Sequence, residues 1–147
     1  MDAAPLMDGA FVACANTPAV AYQPGITAVS RSGTWQAELL SASTDTTSGT
    51  VDGAAVGLST WTVDLSPAAD AGTADGGADP QVTAPKPYMP IHVHFAPTMP
   101  TVVANGGGTY TVSEIDFFMS GYFQVTLNVN SGGTTADPIV FNICISP

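Results

Sequence analysis

The chain is 147 residues long and sets two Lys/Arg against twelve Asp/Glu, a formal net charge of −10. That balance excludes the basic footprint that nucleic-acid phosphates and anionic lipid surfaces require, and it leaves metal cations unrepelled. Apolar residues make up 45% and charged residues only 10%, a composition that supports one folded domain with a buried core.

The opening, "MDAAPLMDGAF", has neither a positive n-region nor an apolar h-region, so it does not read as a signal peptide. Residues 1–10 are expected to form a tail, and 11–147 a single domain. Met1 is read as an expression start placed on a mature domain whose native export signal, or lipid anchor, lies outside this sequence. No apolar run reaches the ~18 residues of a membrane-spanning helix. Lysine is scarce, and Thr, Ser, Ala, Gly and Pro fill the positions between apolar residues, a bias associated with exported bacterial proteins.

Cys14, in "FVACA", and Cys144, in "PIVFNICIS", stand near opposite ends, each in an apolar, strand-like run. Two strands of one sandwich can bring such ends together. The expected disulfide closes nearly the whole chain into a loop, worth about 4–5 kcal/mol on the chain-entropy model, and favours an oxidising compartment.

Between the cysteines the apolar period is two, as in half-buried strands. "TWQAELLSA" (34–42) puts Trp35, Ala37 and Leu39 on one face. The segment 43–59 reads as a loop. "STWTVDLS" (59–66) alternates Trp61, Val63 and Leu65. The stretch 66–80 is acidic, low in complexity and read as a flexible loop. Its Asp70, Asp75 and Asp79 lack the closing Glu and the glycine placement of an EF-hand. "NGGGTY" (105–110) is a tight turn. It leads into Tyr110 and Val112, then Ile115 and Phe117 after a bend. Phe123, Val125, Leu127 and Val129 follow in the next strand. Ile139, Phe141, Ile143 and Ile145 share one face of the last, with Val140 and Cys144 on the other. No apolar pattern at helical spacing lasts three turns. With 15 glycines and 12 prolines, the chain is read as an all-β, antiparallel sandwich of seven to eight strands.

The chemistry-bearing stretch is "YMPIHVHF" (88–95), which holds the chain's two histidines, His92 and His94. On a strand, residues two apart face the same way. Their Cα atoms would stand about 6.5–7 Å apart, letting both imidazoles bond one metal ion at about 2 Å. Met89 precedes the pair, Met99 follows it, and Met119 sits at the break in "FFMSGYF". Thioether and imidazole without thiolate suit copper, above all Cu(I). Zinc more often recruits cysteine or carboxylate, and 88–100 contains neither. Each methionine also has an ordinary reading as core filler.

With these residues in place, the span from about Tyr22 to Cys144 resembles the YtkA-like (FixH-related) domains of exported bacterial proteins. The resemblance rests on "MPIHVHFAPTMPTVVANGGGTYTVSEIDFFMSGYFQVTLNV" (89–129), with weaker support from "YQPG" (22–25) and "GTWQAELLSAS" (33–43). It implies an immunoglobulin-like β-sandwich, an envelope or secreted location and a copper-linked role. By motif it carries Met89, His92, His94 and Met119 over as the ligand set, with Met99 as an additional candidate. The pattern places glycine where Val93 and Phe95 stand here, and proline where Ser120 stands.

The expected function is therefore that of an exported copper-binding protein. It would carry or buffer Cu(I)/Cu(II) in the periplasm or outside the cell and exchange it with an envelope copper-protein partner. The alternative is a structural or adhesion module that binds a protein or glycan through its loops without metal. An enzyme is not expected, because Glu38 and Glu114 are isolated and no cysteine nucleophile lies near the histidines.

Overall fold

A computed structural model describes residues 14–68, 80–131 and 136–146. The expected tail and most of the acidic 66–80 loop lie outside the described residues. Twelve strands run in chain order: β1 (Val20–Ala21), β2 (Thr27–Val29), β3 (Trp35–Thr46), β4 (Gly49–Asp52), β5 (Gly57–Pro67), β6 (Gln81–Thr83), β7 (Tyr88–Met89), β8 (His94–Phe95), β9 (Thr101–Gly106), β10 (Thr109–Phe117), β11 (Gly121–Asn130) and β12 (Asp137–Ile145). No helix among the described residues is long and apolar enough to cross a membrane.

The strands form two sheets, so the all-β sandwich expected from the period-two pattern is what the chain adopts. One sheet runs β1-β12-β11-β7-β8, with β6 also pairing to β11. The other runs β2-β3-β5-β10-β9, with β4 pairing to β3. All pairings are antiparallel except that of β1 with β12. The count exceeds seven or eight because several strands are only two to four residues long and carry no alternation to read. The expected 43–59 loop is largely structured. β3 continues to Thr46, and β4 folds back on it through Thr46↔Gly49. β5 begins at Gly57, where φ is +141° and an added Cβ would lie 2.2 Å from the Asp45 carbonyl oxygen. Only glycine fits that approach. The strand also continues past Ser66 to Pro67.

The inward faces are those the alternation marks. Ala37 and Leu39 are buried in β3, and Trp61, Val63 and Leu65 in β5. Phe123, Val125, Leu127 and Val129 are buried in β11, as are Ile139, Phe141, Ile143 and Ile145 in β12. At two bulges the inward positions switch parity while the strand keeps its apolar face to the core. β3 slips against β5 between Leu39 and Ser41, so Ala42 and Thr44 take over the inward side and Leu40 points out. β10 slips between Val112 and Ile115, with Glu114 at φ +61°, which is the bend expected before Ile115. An extra residue in one strand does both. Trp61 of one sheet meets Phe141 of the other edge-on at 5.8 Å, and Phe117 meets Phe123 at 5.0 Å. Such ring contacts lock the two layers together.

Cys14 and Cys144 are bonded across a sequence separation of 130. Cys144 faces away from the core, as its parity requires, and packs with Cys14 and Tyr122 in a small cluster on the outer side of the sheet. Cys14 lies in a turn rather than a strand. Thr17 holds that turn by donating from both its backbone N–H and its hydroxyl to the Cys14 carbonyl.

Candidate metal site at a hairpin tip

The histidine segment is a β-hairpin, which corrects the expectation of one continuous strand. β7 and β8 pair through Tyr88↔Phe95 and Met89↔His94. Residues 90–93 form the loop between them, closed by a hydrogen bond from the Val93 N–H to the Met89 carbonyl at 2.8 Å. A second bond, from the Ala96 N–H to the Pro87 carbonyl at 2.8 Å, fastens its base. Pro90 suits the first loop position because its ring presets φ. Val93 closes the loop at φ +54°, a left-handed conformation rare for a β-branched side chain.

The loop nevertheless brings the two imidazoles together. His92 and His94 are both exposed, and their ring centres lie 5.7 Å apart with planes inclined by 32°. An imidazole nitrogen lies about 1 Å from its ring centre and bonds a metal at about 2 Å, so two rings on one ion stand at most roughly 6 Å apart. The spacing lies inside that limit, and neutral imidazole is a donor that copper accepts.

The hairpin sits against the crossing from β10 to β11, where the chain passes from one sheet to the other. His94 packs on Phe118, with ring centres 5.6 Å apart. Phe118 in turn meets Phe123 edge-on at 5.8 Å. Met119 is the next residue of this crossing and is half-buried against the core. Met89 is fully buried in the core. An added Cβ on Gly121 would lie 3.2 Å from the Met89 methyl, so Met89 passes beneath the start of β11. The Met89↔His94 register directs both side chains to one face of the hairpin. Met99 is 58% exposed on the segment after the hairpin. That segment is tied to β10 by Thr98 donating to Asp116 and Thr101 donating to Glu114.

Four of the five candidates, Met89, His92, His94 and Met119, thus lie on two abutting segments. The histidines are exposed, Met119 is half-buried and Met89 is fully buried. Met99 lies on neither segment. Among the described residues no group of three or more His, Cys, Asp or Glu gathers to hold a metal. Among the described residues, donors beyond the two imidazoles would therefore be thioethers or neutral side-chain and backbone oxygens. Sequence reasoning missed Phe118 and Gly121. The only signal for Phe118 was an aromatic beside the strand break at Met119. For Gly121 it was a glycine opening a strand.

Comparison with family models, with curated proteins and with solved structures gives no match to this chain.

Proposed function

We propose that the protein is an exported copper-binding protein, a carrier or buffer whose cargo is held at the β7–β8 tip. The observation that carries this reading is the pair of exposed imidazoles with ring centres 5.7 Å apart. In this reading His92 and His94 supply nitrogen, and Met119 supplies sulfur. Met89 would join at the expense of its packing against Gly121. Soft thioethers favour Cu(I). Exposed ligands suit an ion that is taken up and handed on to an envelope partner, in contrast to a sealed structural centre. The Cys14–Cys144 bond supports an oxidising compartment, periplasmic or extracellular.

The test is copper titration of the native chain beside His92→Ala/His94→Ala. Losing two metal–nitrogen bonds should weaken binding by more than about 100-fold, with the melting profile in the absence of copper unchanged. Equal copper responses in the two proteins would remove the metal from the reading. They would favour instead the adhesion module, with the exposed apolar residues around the tip as its contact surface.

A further inference from the structure

We infer that the outer face of the sheet containing β7, β8, β11 and β12 binds a neutral polysaccharide chain, along a row of side chains that runs from Phe95 through Tyr88 and Gln124 to Asn142.

The strand register makes this row. Phe95 stands opposite Tyr88, Tyr88 opposite Gln124, and Gln124 opposite Asn142. Directly opposed residues share one face of a sheet. Neighbouring strands lie about 4.8 Å apart, so the row spans about 14 Å, the length of roughly three pyranose rings. Met89, Val125 and Phe141, the next residues along three of these strands, are buried in the core, so the row lies on the solvent side. Phe95 is 58% exposed, and Tyr88, Gln124 and Asn142 are half-buried.

One end of the row is aromatic and the other is amide. The Tyr88 and Phe95 rings lie 4.8 Å apart, inclined by 51°. The negative face of such a ring attracts the polarised C–H groups on the apolar side of a sugar. At the other end, the Tyr122 hydroxyl donates to Asn142 Oδ1 at 2.7 Å and accepts from Gln124 Nε2 at 3.2 Å. Tyr122 is buried against the Cys14–Cys144 disulfide, so both amides are held in place before a ligand arrives. Those bonds use Asn142 Oδ1 and Gln124 Nε2. Gln124 Oε1 can then accept from one sugar hydroxyl while Asn142 Nδ2 donates to its neighbour.

Charge narrows the occupant. Glu38, Asp45, Asp52, Asp64, Glu114 and Asp116 all lie in strands of the other sheet. The strands of this sheet carry no Asp, Glu, Lys or Arg except Asp137, which Ser32 binds. An uncharged face on a chain of net −10 suits a neutral polyhydroxyl ligand. Nucleic-acid bases also stack on aromatic rings, but their phosphates require cations. The site is separate from the copper reading, because Met89 and His94 face the other side of the hairpin.

The experiment is native gel electrophoresis through hydroxyethyl cellulose, xylan, glucomannan and glycol chitin. It compares the native chain with Phe95→Ala, Gln124→Ala and, on the outer face of the other sheet, Thr62→Ala. At least one of the four polymers should retard the native chain. Phe95→Ala removes an exposed anchor and should raise the dissociation constant at least about tenfold, and Gln124→Ala at least about threefold. Thr62→Ala should change nothing. Retardation by none of the polymers would overturn the proposal. Retardation that Phe95→Ala or Gln124→Ala leaves unchanged would overturn it too, by moving the contact off the row, as would an equal loss in Thr62→Ala.

Discussion

Val93 is where backbone and side chain disagree most openly. It holds φ +54°, a conformation that costs an L-residue roughly 1–2 kcal/mol, and its side chain is 72% exposed, so packing returns little. Val93→Gly should therefore stabilise the fold by about 1 kcal/mol, raising the melting temperature by roughly 2–4 °C in a thermal melt. A drop in melting temperature would mean that the valine packs in solution. The position also shows what the sequence hid. Turn residues such as Gly or Asn announce a left-handed position, and a valine between two histidines announces a strand. Only Pro90 signalled the loop. Glycine is the residue this backbone accepts most readily. The pairing of the imidazoles was legible for a different reason than the one that produces it: the turn, not strand parity, sets them side by side.

At the scale of elements, long strands were legible and short ones were not. β3, β5, β10, β11 and β12 each run nine residues or more, enough for alternation to declare an inward face. β4 is exposed throughout, so Thr, Gly and Asp there read as loop. Between elements, one clasp joins the two sheets near an edge. The backbone N–H and hydroxyl of Ser32, which follows β2, both donate to the Asp137 carboxylate of β12. The Arg31 N–H bonds the Pro138 carbonyl at 2.9 Å. Burial would raise the Asp137 carboxyl, but hydrogen bonds from Ser32 and Ser30 and the Arg31 charge outweigh it and hold the group below its ordinary 3.8. A lowered folded value stabilises the fold fully above the ordinary value and loses that contribution as pH falls through the folded one. Asp137→Asn should therefore cost no more than about 1 kcal/mol at pH 7, since solvent screens so open a site. Paired thermal melts should show that gap closing as the pH drops below about 4. A gap independent of pH would assign the clasp's contribution to shape alone.

Across the whole molecule, the two cysteines and the period-two faces specify a sandwich closed by a long covalent loop. The pairing of distant strands leaves no trace in local sequence, so the meeting of the hairpin with the β10–β11 crossing could be read only from the fold. Reduction of Cys14–Cys144 releases a loop spanning a separation of 130. On the chain-entropy model this costs about 4–5 kcal/mol, which should lower the melting temperature by roughly 10 °C or more. Thermal melts with and without dithiothreitol measure it, and a shift under about 3 °C would place the stability in the sheets alone. The same bond has another consequence. A protease that cuts between Cys14 and Cys144 makes two fragments but no free ends that can drift away, because sulfur still joins the outer portions. Such a nicked molecule would travel as one band on a non-reducing gel and split only when the thiols are restored. Damage to an exposed loop is thereby uncoupled from loss of the protein.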